Sequence, residues 1–203
     1  MKDIIQKVIE HEAKAISNIP IGDGFVEAIK LIYEQVHQKN GKLVASGMGK
    51  AGQIALNIAT TFSSTGTPSV FLHPSDSQHG DLGVIQNKDI LLLISNSGKT
   101  REILELVDLA DNLHPGLPLI VISGNPESVL AKNANAFIYT GNPNEVCPLG
   151  LSPTTSTTVM TVIGDALVVS LMNKIKFTSK DYAKRHHGGD LGDKSRMQSE
   201  NSK

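Results

Sequence analysis

The sequence has little of what marks secreted, nucleic-acid-binding or membrane-spanning proteins. Its 203 residues include a single cysteine, Cys147, so no intrachain disulfide can form and a cysteine-based zinc site is not expected. A formal net charge of −1 supplies no general attraction to nucleic acid or to an anionic membrane. The first residues mix acids and bases, unlike a signal peptide, and we expect no apolar stretch of the roughly 18 residues that span a bilayer. These shortages predict a cytoplasmic protein that binds neither nucleic acid nor membrane.

What the sequence does contain is a regular alternation of helical patterns and short apolar runs. Five runs have the length and composition of buried strands, and they lie at residues 42–46, 68–73, 89–94, 118–123 and 136–140. Helices are predicted around them, at about 3–17, 23–37, 50–63, 100–113, 126–133 and 156–173. This order predicts an α/β fold, a three-layer, doubly wound, five-stranded parallel sheet flanked by helices. The ligand site of such a sheet lies at the carboxyl ends of its strands.

Three details of this pattern are more specific. Asp23 is a candidate N-cap for the second helix. The helix at 156–173 is apolar on most sides, with Asp165 its one acid, which predicts burial inside the protein or against another subunit. From Asp190 onward the sequence is polar, which predicts frayed residues and a tail at 193–203 outside a single domain of residues 1–192.

A serine-rich turn directly after a predicted strand is the strongest functional signal. The segment reads Ser95-Asn96-Ser97-Gly98-Lys99-Thr100, and the next helix begins beside it. Its three hydroxyls and the free backbone N–H groups of that helix are expected to converge on one point, where Gly98 lets the backbone come close. A helix N-terminus favours negative charge. The turn therefore predicts a cradle for a phosphate carried by a small molecule.

A glycine-rich turn, Ser46–Gly52, follows the first predicted strand and has a second possible meaning. Its glycines Gly47, Gly49 and Gly52 match the G-x-G-x-x-G spacing of dinucleotide-binding proteins. That fold uses an acid at the end of its second strand, where this sequence has His73. Two cradles after two strands suit one phosphorylated sugar better than a dinucleotide, and a tight turn without a ligand is the remaining alternative.

Charged and histidine side chains near the predicted sheet edge are candidates for chemistry. Lys50 lies at a helix N-terminus, against the helix dipole, and a bound anion would offset that cost. Glu145 follows the fifth strand on the expected ligand side. His79 lies in a loop after the second strand, where a pocket role and simple exposure are equally favoured. For the adjacent His186 and His187 an acid–base role is favoured over a metal site, since no matching ligand spacing surrounds them.

Together these motifs resemble the sugar isomerase (SIS) family, and within it the D-arabinose 5-phosphate isomerase branch. The resemblance runs from about residue 5 to about residue 192. It is carried by six segments, which are Ser46–Gly52, Ser63–Pro68, His79–Gly83, Ser95–Gly98, Cys147–Pro153 and Gly164–Ala166. Full-length relatives of this branch continue into a pair of CBS modules, so the resemblance implies a form that lacks this pair.

The resemblance implies reversible conversion of D-ribulose 5-phosphate and D-arabinose 5-phosphate through an enediol, feeding the synthesis of Kdo for lipopolysaccharide or capsule. It implies no cofactor and no metal, and a homo-oligomer, a tetramer, whose sites borrow groups from neighbouring subunits. The catalytic residues of the branch fall on Lys50, Glu102, Glu145 and His186. Its substrate-binding residues fall on Gly47, Gly49, His79, Ser95, Asn96, Ser97, Thr100 and His187.

The chemistry of an aldose–ketose isomerase suits these residue types. Moving a proton between adjacent carbons needs a carboxylate near the transferring carbon and a cation or donor for the developing oxyanion. Lys50 suits the second role, and Glu102 or Glu145 suits the first, with no ranking between them. The usual His-Pro-Gly-Gly of the branch reads His186-His187-Gly-Gly here, which leaves open which histidine shuttles a proton or helps to open a cyclic sugar.

Other functions are compatible with the same motifs. Lys99 stands where the branch has an acid, which adds positive charge beside the phosphate cradle. A phosphosugar isomerase of another type, such as a hexulose 6-phosphate isomerase, would share these motifs, and a non-catalytic sensor of sugar phosphates would share the binding residues. The candidate acid, base and cation are all present, which favours an enzyme.

Overall fold

The centre of the computed structural model, which describes residues 1–200, is a five-stranded parallel sheet. The strands are β1 (Leu43–Gly47), β2 (Ser69–Phe71), β3 (Ile90–Ile94), β4 (Leu119–Ser123) and β5 (Ala136–Tyr139). Their order across the sheet is β2-β1-β3-β4-β5, and each neighbouring pair is parallel. The α/β class and the five-stranded parallel sheet predicted from the sequence are confirmed.

Helices cover both faces of the sheet. They are α1 (Lys2–Ser17), α2 (Asp23–Ile32), α3 (Lys50–Ser64), α4 (Pro74–Ser77), α5 (Arg101–Leu113), α6 (Val129–Lys132), α7 (Thr155–Lys174), α8 (Ser179–Ala183) and α9 (Gly189–Glu200). A π-helical segment, Tyr33–Gln38, continues α2, and a 3₁₀ turn, Asp81–Val84, follows α4. The helical patterns of the sequence are present, with differences at several ends.

Two hydrophobic cores lie on opposite faces of the sheet because strand side chains alternate between faces. In β3, Leu92 packs with α2, α3 and α7, whereas Leu91 and Leu93 pack with α5 on the other face. Strands β1, β3 and β4 are buried along their whole length, as a central strand covered on both faces must be. This double coverage produces the three layers.

The strand order reverses between β1 and β3, and this reversal positions the site. From β1 the chain runs outward to β2, then crosses back to β3 on the other side of β1. Gly47 and Ile94, the last residues of β1 and β3, are paired in register. The turns that follow these strands therefore leave the sheet side by side, at the crevice where doubly wound sheets bind ligands.

A buried ion pair fixes the opposite end of the same two strands. Asp89, 1% exposed, accepts hydrogen bonds from the backbone N–H of Lys42 at 2.9 Å and of Gln86 at 2.8 Å, and its carboxylate lies 2.5 Å from the Lys42 ammonium. Because its partners surround the carboxylate, the charge is not left unpaired in the interior. The pair ties the starts of β1 and β3 together and so helps to set the register of their functional ends.

Three local predictions are wrong. Asp23 is the first residue of α2, and the N-cap is Gly22, whose extended backbone leads into the helix. Helix α6 begins only at Val129, since Ser128 caps it by accepting a hydrogen bond from the Ala131 N–H at 3.2 Å. The residues from Asp190 to 200 form α9 instead of a frayed end, because α9 packs on α8 and buries Ser195. The rest of the predicted tail, residues 201–203, lies outside the described residues.

Helix α7 corrects the expectation that no stretch is long and apolar enough to cross a bilayer. Its 20 residues reach that length, with a mean hydropathy of 1.5 over the most apolar window. Half of this window is buried inside the protein, where α7 packs against α1, α2 and α3. A core helix of a folded domain has the same composition, so the predicted burial of this helix accounts for its apolar residues.

Candidate functional site

A cleft of about 770 Å³ opens at the carboxyl ends of the strands. One side, here called the turn wall, comprises residues 47–51 after β1 and 95–100 after β3; Lys50, Ser95 and Thr100 line it. The other side, the loop wall, comprises residues 142–157, which include the connection from β5 and the first three residues of α7; Glu145 and Ser156 line it. The cleft thus occupies the edge of the sheet that the sequence predicted for a ligand.

The turn after β1 depends on two glycines. Gly49 has φ 59° and ψ −125°, a conformation that residues with a side chain rarely adopt. A Cβ on Gly47 would lie 2.7 Å from the backbone carbonyl of Ala51, so the turn can close only without one. Neither glycine lines the cleft itself. Together they bring the exposed Lys50, the first residue of α3, to the cleft surface.

The turn after β3 places three hydroxyls at the start of α5. The Ser95 and Thr100 hydroxyls lie 3.0 Å apart, and the Ser97 hydroxyl accepts a hydrogen bond from the Lys99 N–H at 3.2 Å. Gly98 has φ 62°, and a Cβ there would overlap the Ser128 hydroxyl. A polar surface at a helix N-terminus with donors free to rotate has the chemistry of a phosphate site.

Two amide side chains that line the cleft, one from each wall, lie close to Gly124. The side-chain oxygen of Asn96 is buried and has no hydrogen-bond partner among the described residues. A Cβ on Gly124 would lie 2.7 Å from this oxygen and 3.0 Å from that of Asn142, so the bare glycine makes room for both amides. An acceptor without a partner is suited to a ligand hydroxyl.

Glu145 is the cleft carboxylate on the loop wall, and its hydrogen bonds set its pKa. Its Oε2 accepts hydrogen bonds from the Thr154 N–H at 2.7 Å, the Thr154 hydroxyl at 2.9 Å and the Ser156 N–H at 3.3 Å. The Ser156 hydroxyl donates to Oε1. Burial raises the pKa of Glu145, but the hydrogen bonds from Ser156 and Thr154 outweigh it and leave the pKa below its usual value. The carboxylate is therefore held in its ionised form.

The loop wall also contains the only cysteine. The Cys147 sulfur accepts hydrogen bonds from the backbone N–H groups of Leu151 at 3.2 Å and Ser152 at 3.1 Å. The bond from Ser152 is the main reason that the pKa of the Cys147 thiol is lowered, and it acts against a smaller effect of burial. The sulfur thus organises the turn that carries the exposed Leu149 and Leu151.

Six predicted site residues do not line the cleft of the single chain, namely the two turn glycines Gly47 and Gly49 and four side chains that lie elsewhere. Glu102 lies in the first turn of α5, half-buried, and His79 is exposed after α4. His186 stacks on Tyr182, with ring centroids 3.6 Å apart, and its Nδ1 lies 3.1 Å from the Tyr182 carbonyl oxygen. His187 is exposed beside it. The cleft brings together six of the predicted residues, which are Lys50, Ser95, Asn96, Ser97, Thr100 and Glu145.

Several cleft residues were not predicted from the sequence. Tyr139 ends β5 and Asn125 follows β4, so the rule that ligands bind at the carboxyl ends of strands could have identified both. Thr157 and Met160 face the cleft from α7; Thr157 belongs to the hydroxyl-rich run at residues 152–158, whereas no motif in the sequence pointed to Met160. Within residues 1–200, no group of three histidine, cysteine or acidic side chains is placed to hold a metal ion.

The chain is similar to proteins of known family. The family model described as SIS domain matches residues 35–170, which include all five strands. The arabinose 5-phosphate isomerase KdsD of Pseudomonas aeruginosa is 45% identical over 189 residues, a match that covers 92% of this chain and 56% of the relative. The chain therefore spans a little over half the length of the curated relatives that it matches.

Two solved structures cover nearly the whole chain. One is a phosphosugar isomerase of Bacteroides fragilis, described as putative and as involved in capsule formation. It is 64% identical, with a TM-score of 0.92, and the match covers 93% of this chain and 98% of that one. The other is protein c3406 of Escherichia coli CFT073 in complex with arabinose 5-phosphate, 36% identical with a TM-score of 0.84, with coverage of 91% and 96%.

Proposed function

Because the chain belongs to the SIS family, we propose that it is an aldose–ketose isomerase that interconverts D-ribulose 5-phosphate and D-arabinose 5-phosphate. The observation that carries the proposal is the cleft itself, where a phosphate-type cradle and the Lys50 ammonium meet on the turn wall. Relatives named arabinose 5-phosphate isomerase and a structural relative with arabinose 5-phosphate bound support this choice of substrate.

The substrate phosphate is assigned to the turn after β3. The hydroxyls of Ser95, Ser97 and Thr100 and the N-terminus of α5 favour a dianion there. Lys50, on the neighbouring turn, then faces the carbonyl end of a pentose. A cation at this position stabilises the oxyanion that develops as the enediol forms, typically by a factor of 10²–10³ or about 3–4 kcal/mol in rate.

Proton transfer needs a base near C1 and C2 of the sugar, and Glu102 and Glu145 are the two carboxylates proposed. A histidine, His186 or His187, is proposed to move protons between sugar oxygens or to open the ring. His79 is a further proposed substrate contact. The reaction as written needs no redox cofactor, because the proton and electrons stay within the substrate.

We propose that the active form is a homo-oligomer, a tetramer, in which neighbouring copies complete each site. Its support is the position of Glu102, His79 and the two C-terminal histidines outside the single-chain cleft. The isoleucines of α1 also form an exposed apolar face, with Ile4, Ile5 and Ile9 each more than half exposed. Light scattering gives the oligomeric state of the protein under the conditions of the activity assay. A fully active monomer would contradict the proposal.

The proposed product is a precursor of an eight-carbon acid, Kdo, used in lipopolysaccharide or capsule, and the proposed location is the cytoplasm. The relative involved in capsule formation supports this destination. The two polysaccharides would use the same product, so the destination does not alter the proposed chemistry.

The decisive experiment is incubation of the protein with ribulose 5-phosphate in heavy water. The expected result is formation of arabinose 5-phosphate, with deuterium at C2 reporting how well the moving proton is protected from solvent. Turnover of a hexulose 6-phosphate but not of a pentose phosphate would indicate another isomerase. Thermal stabilisation by the sugar phosphate without turnover would indicate a binding protein instead.

A further inference from the structure

Helix α1 adds no fully buried residue to the core, yet two of its side chains contact the loop wall. Its residues are all at least partly exposed, and three of its isoleucines are more than half exposed. The adjacent side chains of His11 and Glu12, both half-buried, are the ones that reach the backbone around Glu145. Packing of the core therefore does not account for these two polar residues.

The His11 ring holds the peptide unit that precedes Glu145. Its Nε2 lies 2.8 Å from the carbonyl oxygen of Asn144. Because a carbonyl oxygen only accepts hydrogen bonds, Nε2 carries the proton and donates it to this contact. The carbonyl group and the nitrogen of Glu145 belong to the same planar unit, so the hydrogen bond holds that plane in place.

Glu12 holds the peptide unit that follows Glu145, through one intermediate side chain. The N–H of Val146 donates to the buried Thr155 hydroxyl at 3.2 Å, and that hydroxyl donates to the Glu12 Oε1 at 3.0 Å. The other carboxylate oxygen, Oε2, is buried and has no hydrogen-bond partner among the described residues. A polar atom in this state costs stability, so the stability of α1 does not explain a carboxylate at this position.

The two contacts together fix the direction in which the Glu145 side chain leaves the backbone. A residue has two soft backbone dihedrals, and both are set when the peptide planes on either side are held. We propose that His11 and Glu12 are positioning residues, which aim the Glu145 carboxylate into the cleft and act on the reaction through it. The inference rests on the proposed isomerase function, and it holds whichever step of the isomerisation Glu145 performs.

Three substitutions of His11 differ in whether a donor reaches the Asn144 carbonyl. His11→Gln brings an amide N–H close to the place of Nε2, His11→Asn is one carbon shorter, and His11→Ala has no donor. We expect kcat to fall about tenfold in His11→Ala and His11→Asn and to stay within about twofold of the wild type in His11→Gln. KM should change less than kcat, because the phosphate is assigned to the turn wall.

Lys14→Ala is the matched control for this series. Lys14 lies one turn further along α1 and is exposed, so its removal should leave kcat and KM unchanged. Alanine is the best helix former, so neither alanine variant should unfold α1. The inference is overturned if His11→Ala keeps the kcat of the wild type, or if His11→Gln loses as much kcat as His11→Ala.

A double-mutant cycle shows whether His11 acts through Glu145. In the Glu145→Gln background, His11→Ala should lower kcat less than about twofold, because the carboxylate that His11 positions is already gone. The effects of independent residues multiply in kcat, so the same loss in both backgrounds would contradict the inference.

Hydrogen exchange provides a readout that does not depend on turnover. The Thr154 N–H donates to the Glu145 Oε2 at 2.7 Å, so its exchange rate reports whether the carboxylate stays in place. This amide should exchange at least about threefold faster in His11→Ala than in the wild type, and at the wild-type rate in His11→Gln. If the wild type does not isomerise ribulose 5-phosphate, the proposed function fails and exchange alone decides the inference. Equal exchange in His11→Ala and the wild type overturns it.

Discussion

The turn wall and the loop wall of the cleft are built in different ways. The turn wall is made by backbone conformation, with Gly98 at positive φ and packed directly against Ser128. The loop wall is held by side chains, chiefly those of Glu145 and Cys147, and by the contacts of α1. Under the proposed function the turn wall binds the phosphate, and the loop wall shapes the opposite side of the cleft.

Replacement of the turn-wall cation should have the largest effect. Lys50→Met keeps the length and apolar stem of the side chain but removes its charge. We expect kcat to fall by about 10²–10³, the usual loss for one group that stabilises an oxyanion. The melting temperature should change little, because Lys50 is exposed.

Lys99→Met is the matched control for this variant. Lys99 lies on the same wall, is exposed and does not line the cleft. Its removal should lower kcat less than tenfold and act mainly on KM through long-range attraction of the phosphate. Equal losses in the two variants would mean that the general charge of the wall matters and that Lys50 has no specific role.

A pair of glycine substitutions compares the walls directly. Gly98 in the turn wall and Gly150 in the loop wall have nearly the same φ, 62° and 63°. Alanine at either position carries the cost of a left-handed conformation, about 1–2 kcal/mol. Only at Gly98 would the new Cβ also overlap another side chain, that of Ser128, whereas nothing lies within 4 Å at Gly150.

We therefore expect Gly98→Ala to raise KM at least about tenfold, as the phosphate turn moves, and to lower stability more than Gly150→Ala does. Chemical denaturation and steady-state kinetics measure both effects. If the two variants are equally stable and active, the turn wall tolerates displacement, and the distinction between a wall set by backbone conformation and a wall held by side chains is wrong.

The turn wall was predictable from sequence because its cause is local. A buried apolar run followed by serine, glycine and a helix start specifies a strand, a tight turn and an exposed helix N-terminus within a few residues. The position of the two turns side by side follows from the reversal of strand order, which a parallel α/β pattern predicts. The residues Ser95–Thr100 therefore lie in the turn wall of the cleft as expected.

The loop wall was not predictable, because its contacts are distant in sequence. Nothing in the local pattern near Glu12 indicates that its carboxylate meets Thr155, more than 140 residues away. Glu145 was placed correctly at the sheet edge, yet its pairing with the start of α7 depends on how the loop folds back. Helix α9 was missed for a similar reason: a polar segment becomes helical when α8 provides a surface.

The contact between α1 and the loop wall, made by Glu12 and Thr155, is expected to have a smaller effect on kcat. Glu12→Ala leaves the Thr155 hydroxyl without its acceptor and loosens Val146, next to Glu145. We expect kcat to fall by about three- to tenfold, less than the loss typical of a displacement of about 1 Å. Glu10→Ala, also on α1 and exposed, should leave the kinetics unchanged. An equal loss in both variants would point to α1 as a whole instead of the Glu12 contact.

The smallest expected effect is the pH dependence of stability contributed by the loop wall. Hydrogen bonds keep the pKa of Glu145 below its usual value in spite of burial, so the folded protein favours its ionised form. This stabilisation is complete above the pKa of glutamate in the unfolded chain, about 4.3, and it is lost as the pH falls through the lower pKa of the folded state. The melting temperature of the wild type should therefore exceed that of Glu145→Gln at pH 7, and the gap should close as the pH falls below about 4. A gap that stays constant over this range would mean that the charge of Glu145 contributes nothing to the stability of the loop wall, and that the difference between the two proteins has another cause.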